Sequence, residues 1–303
     1  MSKNRILATV ALASVALIGL SGCAPEAPAP TTDAARQTGV DLSKIKADDA
    51  IAKMLPADIT ERGTLIIGVD PTYAPNEFKD AQGNPIGWEI DLMDAAAAKL
   101  GLKTDYRVAK FDNIVPSILG EKYDLGLGGY YDTKKRQETL DMIDFFQAGE
   151  QLASPADKPI KEILDICGLK VGAQNGGSAI LNFLPKVDEQ CVAAGKPKVE
   201  VLGYETQDEQ TSALLLGRLD AMESDSPVTG YAVKLSEGKL VGSPIFDTVL
   251  AGAPVKKDRG EFAEALRSAI ESLLEDGTYD GILNYWGVEV GGIQQITVNG
   301  ATE

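Results

Sequence analysis

An α/β architecture in two lobes of related build follows from the order of hydrophobic patterns along this chain. From Thr64 onward, short apolar runs of strand length alternate with longer amphipathic runs, the signature of α/β units around a mostly parallel sheet. The same grammar starts again after Lys170. With 303 residues, 44% of them hydrophobic, the chain has enough apolar material to bury two modest cores.

Taken in order, Thr64–Val69 reads as a buried strand, residues 90–100 as a helix stopped by Gly101, and Lys103–Val108 as a second strand. A helix follows Phe111, with Pro116 discordant inside it, and residues 124–127 form a third strand. Residues 170–173 are a strand leading into Gly176-Gly177-Ser178 and a helix. Leu119-Gly120-Glu121-Lys122-Tyr123-Asp124-Leu125 is echoed by Leu216-Gly217-Arg218-Leu219-Asp220-Ala221. In both, a helix ends at glycine and an acidic residue opens the next strand. Residues 262–274 and 279–286 form two tail helices separated by Asp276-Gly277. Two such lobes leave a cleft between them, a favoured place for a small ligand.

Composition narrows the function. A formal net charge of −16, with no run of Lys or Arg, repels phosphate backbones and argues against nucleic acid as a partner. Histidine is absent, and with it the residue most used for proton transfer and metal ligation near neutral pH. No cofactor or metal is called for.

Residues 1–22 read as a targeting signal: Lys3 and Arg5, an apolar run over residues 6–20, then small residues before Cys23. An ordinary secretory signal would leave Cys23 a bystander. Leu20-Ser21-Gly22-Cys23, however, closely resembles the lipobox of bacterial lipoproteins, in which the cysteine receives a diacylglycerol and becomes the new N-terminus. Two acyl chains make a stable anchor, so the resemblance implies a protein outside the cytoplasm, held on the cell membrane through lipidated Cys23. Residues 23–58, in which Ala-Pro-Glu-Ala-Pro-Ala-Pro follows Cys23, read as a tether between anchor and body. Export also places Cys167 and Cys191 in an oxidising compartment, where they pair most simply as a structural disulfide. A metal or redox pair would lack histidine partners and Cys-x-x-Cys spacing.

Several blocks, in order, resemble the solute-binding proteins of polar amino-acid ABC importers. They are Gly63 to Asp70 with Tyr73-Ala74-Pro75, Gly87-Trp88-Glu89-Ile90-Asp91-Leu92, Asp124 through Thr133 to Arg136, Gly217-Arg218-Leu219-Asp220-Ala221 with Asp225, and Asp276-Gly277-Thr278-Tyr279 with Trp286-Gly287. Cys167-Gly168 and Cys191 with Ala194-Gly195-Lys196 are similar to a disulfide-bearing branch of that family. The resemblance runs from about residue 61 to about residue 290. It implies a two-lobe periplasmic-binding-protein-like fold of type II, hinged around an interlobe cleft. Lobe 1 would take residues 59–152 and 246–303, and lobe 2 residues 153–245. It further implies a monomer that carries an amino-acid-like zwitterion to ABC permease and ATPase subunits.

Site residues carry over position by position. Arg136 matches the arginine that grips the ligand carboxylate, which suits a planar guanidinium; its plainer role is to pair with Glu138 or Asp141. Asp225 matches the aspartate that accepts the ligand ammonium, and otherwise reads as a helix N-cap before Ser226-Pro227. Gly177 and Ser178 match positions whose backbone N–H groups and hydroxyl meet the carboxylate; the family usually has Gly-Thr-Thr there, so Gly177 departs from it. Gly129 matches a position offering backbone groups. Tyr73 and Phe111 match the aromatic pair around the ligand side chain, although Phe111 fits ordinary core as well. Asp70 matches a position that meets polar or cationic side chains. Near it in sequence, Tyr130, Tyr131 and Trp88 offer rings to a cation. Tyr131 replaces a small hydroxyl residue and is expected to shrink the pocket or redirect it to an amino-acid derivative. No Arg or Lys lies between Asp70 and Tyr73, which favours a basic or amide side chain over an acidic one. Two other functions fit the fold: a sensor subunit for a membrane receptor, or a hydrolyase-type enzyme using Asp70, Glu77 or Glu89 as acid or base.

Overall fold

The structure is a computed structural model that describes residues 38–301. The signal, Cys23 and the Pro-rich start of the tether lie outside the described residues. No helix among those described is long and apolar enough to cross a membrane.

Strand β1 (Thr64–Val69) pairs in parallel with β2 (Lys103–Val108) through helix α1 (Trp88–Lys99), and with β3 (Leu125–Gly126) through α2 (Phe111–Leu119). The second lobe repeats this: β5 (Lys170–Gln174) pairs in parallel with β6 (Glu200–Tyr204) and β7 (Ala221–Asp225), with α3 (Leu184–Ala193) and α4 (Gln207–Leu215) as crossovers. Helix α5 (Ser226–Leu235) follows β7. The predicted parallel units are therefore present in both lobes.

What joins them is antiparallel. β4 (Leu140–Pro155) and β8 (Phe246–Lys256) pair from Leu140↔Lys256 to Glu150↔Phe246, giving the sheet order β6-β5-β7-β4-β8-β3-β1-β2. The far end of β4 leaves β8 and pairs with β7, so one strand serves both lobes. Neither strand is among the sequence-predicted elements, because β4 is buried along almost its whole length and shows no alternation.

The sequence echo has a structural cause. Asp124 and Asp220 each accept a hydrogen bond from the backbone of the neighbouring parallel strand, Ile66 N–H at 2.8 Å and Lys170 N–H at 2.9 Å. Each thus pins the start of its strand to the first strand of its own lobe. The preceding turns differ: Gly217 takes the left-handed conformation (φ 69°), whereas in the first lobe Glu121 does (φ 58°), not Gly120.

Residues 38–58 are a correction to the expected tether. They form short helical turns, Leu42–Lys44 and Asp49–Ala52, and then lead into the helix Ala57–Arg62. Val40, Ile45, Ile51, Met54 and Leu55 pack on the lobe 1 core, Gly39 N–H donates to Asp91 (2.6 Å), and Asp48 N–H to the Lys99 carbonyl (2.8 Å). Proline is absent from residues 31–55 and apolar residues recur there, so this stretch folds onto the body.

Helices α6 (Phe262–Glu275) and α7 (Thr278–Trp286) complete lobe 1, burying Phe262, Leu266, Ile270, Tyr279 and Ile282 against α1. Trp88, expected near the ligand, is instead fully buried there, between Phe145 and Phe146, with its indole N–H on Asn76 (2.9 Å). In lobe 2, Cys167 and Cys191 form a disulfide with Cα atoms 5.7 Å apart. It closes a loop with a sequence separation of 24, worth about 3.5 kcal/mol by loop entropy. The Cys167→Ser/Cys191→Ser double variant should therefore lose about 2–4 kcal/mol in urea unfolding.

Candidate functional site

Tyr73, Phe111, Gly129, Arg136, Gly177, Ser178 and Asp225 line one cavity between the lobes, so seven of the nine expected ligand-binding residues come together. Strand ends do this. Tyr73 follows β1, Gly129 follows β3, Arg136 precedes β4, Ser178 follows β5, and Asp225 closes β7. Ligand sites of α/β sheets form at such strand ends.

Arg136 is held from below and behind. Thr133 Oγ1 accepts its backbone N–H (3.2 Å), its guanidinium donates to the Tyr131 carbonyl (2.7 Å), and its Cζ lies 5.1 Å from the Tyr130 ring centroid. Tyr130 in turn stacks on Phe111, with centroids 4.6 Å apart. Glu138 pairs with Lys135 instead, and among the described residues Arg136 is in no salt bridge. Its remaining N–H groups are left for the cavity.

Asp225 caps nothing with its side chain. Its backbone N–H donates to the Tyr73 hydroxyl across the lobes (3.0 Å). Burial and then the Glu150 charge push its carboxyl well above the usual carboxylate range, while the Tyr131 and Tyr73 hydroxyls pull it back.

Asp70 and Tyr131 do not line the cavity. Asp70 is buried beside it and accepts from Thr72 Oγ1 (3.0 Å), Phe111 N–H (3.2 Å) and, across the lobes, Gln174 Nε2 (3.1 Å). Tyr131 packs its ring in the lobe 1 core, with its hydroxyl close to Asp225. Two backbone donors expected for the ligand are already used: Gly129 N–H donates to Glu89 (3.1 Å) and Gly177 N–H to the Gln174 carbonyl (3.1 Å). Glu89 holds Gly128 N–H as well (2.9 Å), and burial lifts its pKa to about 7.

Sequence reasoning missed Glu150, Gln174, Gln207, Glu223 and Ser224 on the cavity wall. The strand period of two carried the signal for Glu223, which shares a face with Asp225 two residues on.

The lobes are closed. Besides the Asp70–Gln174 and Tyr73–Asp225 bonds, Gln207 N–H meets Thr72 Oγ1 (3.4 Å), Lys110 pairs with Glu205 (2.7 Å) and Phe78 faces Tyr231 at 6.2 Å. The cavity between these walls is about 30 Å³, room for about two waters. An amino acid therefore fits only when the walls stand further apart.

A two-lobe α/β body closed over a small charged cavity defines a solute-binding protein. Residues 65–289 match the model for bacterial extracellular solute-binding proteins, family 3, and the chain belongs to that family. Arginine-binding protein ArgT of Corynebacterium glutamicum is 36% identical over 256 residues, 82% of each chain. The lysine/arginine/ornithine-binding periplasmic protein of Escherichia coli is 32% identical over 227 residues, 72% of this chain and 85% of its own. Among solved structures, an ancestral arginine-binding protein bound to arginine has a TM-score of 0.68 and 32% identity, over 74% of this chain and 98% of its own.

Gly129 sets how closely the lobes approach. It has φ 59°, and a Cβ there would stand 2.3 Å from an Asp225 carboxylate oxygen. Gly129→Ala should leave each lobe folded but hold the cleft ajar. Small-angle scattering should show a larger radius for this variant, and ligand affinity should fall about tenfold or more.

Proposed function

We propose that this protein captures an amino acid with a polar or basic side chain outside the cytoplasm and delivers it to the permease and ATPase subunits of an ABC importer. The observation that carries the reading is the pair Arg136 and Asp225: opposite charges from opposite lobes, lining one cavity, neither in a salt bridge among the described residues. Arg136 would grip the carboxylate, Asp225 the ammonium, and the Ser178 backbone and hydroxyl would add to the carboxylate side. Tyr73 and Phe111 would flank the side chain. Family membership and relatives named for arginine and lysine support a basic ligand.

The protein acts as a monomer and binds without turnover. Asp70 and Glu89, two of the three acids weighed as catalysts, already hold the backbone that shapes the site. We assign residues 59–152 and 246–303 to lobe 1 and 153–245 to lobe 2. Cys23 carries the lipid anchor, and the Pro-rich segment after it supplies the tether.

Thermal shift on protein freed of carried-over ligand by unfolding and refolding tests the reading. A bound basic amino acid should add about 2.7 kcal/mol of stability at a hundredfold excess over its Kd. Arg136→Ala and Asp225→Ala should each abolish that shift. Failure of every amino acid to shift the melting temperature would reject the zwitterion site.

Affinity should also depend on pH, with a definite sign. Ammonium binding needs Asp225 ionised, and its pKa in the free protein is raised by burial. Affinity should therefore weaken as the pH falls through that raised pKa, and recover on return, as followed by calorimetry.

A further inference from the structure

We infer that Glu150 and Glu223, and not Asp70, receive the cationic end of the ligand's side chain and so set the preference for a basic amino acid. This rests on the amino-acid-binding reading above and assigns the specificity of that same cavity.

The sheet builds the seat. In the antiparallel pairing of β4 with β7, Asp225 stands opposite Glu150. Glu223, two residues from Asp225 on the same strand, projects from the same face. Three carboxylates thus share one wall, and all three line the cavity. Glu150 is 4% exposed, Glu223 3% and Asp225 6%.

A count of charges shows what is left over. Among the described residues lining the cavity, Arg136 is the one cation. An amino acid's backbone charges occupy Arg136 and Asp225, one each. Glu150 and Glu223 then remain without a partner charge. Glu223 Oε1 has no hydrogen-bond donor at all, a costly state for a buried carboxylate. Burial, then the charge of Glu150 and a hydrogen bond shared with it, raises the Glu223 pKa.

Spacing fits as well. Residues i and i+2 of a strand are about 6.5 Å apart. That is roughly the extended reach of five or six bonds, the span from the α-ammonium of a basic amino acid to its side-chain cation. Asp70 is differently placed: it lies off the cavity wall and already accepts from Thr72, Phe111 and Gln174. A cation there would have to displace an inter-lobe hydrogen bond.

The test compares arginine with citrulline, its neutral isostere, by calorimetry on wild type, Glu150→Gln, Glu223→Gln and Asp70→Asn. Each variant's melting temperature is measured to confirm folding. We expect wild type to prefer arginine by about a hundredfold or more, in line with charge-assisted bonds of about 1.5–3 kcal/mol each. Glu150→Gln and Glu223→Gln should each cut that preference at least tenfold while changing citrulline affinity little. Asp70→Asn should keep the ratio. A ratio unchanged in both glutamine variants, or lost in Asp70→Asn alone, overturns the assignment and leaves the amino-acid site standing. Equal wild-type affinity for the two ligands also overturns it. Binding of neither ligand, or of any amino acid, would reject the underlying reading instead.

Discussion

The antiparallel ladder between Leu140–Pro155 and Phe246–Lys256 joins the two lobes that carry the charged groups of the site. Arg136 enters it from the lobe 1 end. Glu150 sits where the first of these strands leaves the second and takes up Ala221–Asp225, which brings Asp225 directly opposite. Glu150 is tied by this pairing to Asp225 of lobe 2, whereas Arg136 shares no strand pairing with Asp225. The ladder shifts register between Phe246 and Val249, close to that changeover. A rotation centred there would change the distance from Arg136 to Asp225 and leave the acidic wall intact. A zwitterion that bridges the two charges would favour one setting of that rotation.

The closed state is held by few and modest contacts. Hydrogen bonds such as Asp70–Gln174 and Tyr73–Asp225 contribute about 0.5–1.5 kcal/mol each. The Lys110–Glu205 pair, exposed on both sides, contributes little. Contacts of this strength place open and closed states within reach of each other. They also compete with the ligand for space: the small cavity and the approach of Gly129 to Asp225 require that some of these contacts lengthen when an amino acid is seated. Ligand binding then replaces protein–protein contacts across the cleft with protein–ligand ones. The gain is the difference between the two sets, which is why strongly directed charge pairs matter here.

Much of this was legible in the sequence, for physical reasons that differ by element. Parallel units announced themselves because strands and helices have distinct hydrophobic periods, and the Asp124 and Asp220 echo was visible because each acid performs the same strand-pinning job. Seven residues of the cavity wall were expected from short ordered motifs, which fall at strand ends where backbone geometry tolerates little change. The long joining strands were not legible. Leu140–Pro155, buried on both faces, lacks the alternation that marks a half-buried strand, and Phe246–Lys256 is exposed at its start and buried at its end without a period of two. Glu150 was lost with them. Residues 38–58 were misread because the proline-rich composition before them was extended too far, past the apolar recurrence at Ile45, Ile51 and Met54. Trp88 was misplaced because closeness in sequence to site motifs says nothing about which face of a helix a side chain takes.

The acidic wall links the fold to selectivity through desolvation. Strand period and ladder register force Glu150, Glu223 and Asp225 onto one face, and closure then removes them from water. Coulomb interactions at such a site act in a medium of lower effective dielectric than bulk water, so crowding among like charges is expensive. A neutral amino acid brings one ammonium and leaves that crowding mostly in place. A ligand with a second cation neutralises it. Discrimination between the two then comes mainly from unfavourable terms that the wrong ligand fails to remove, a form of selectivity that the sheet register creates before any ligand is bound.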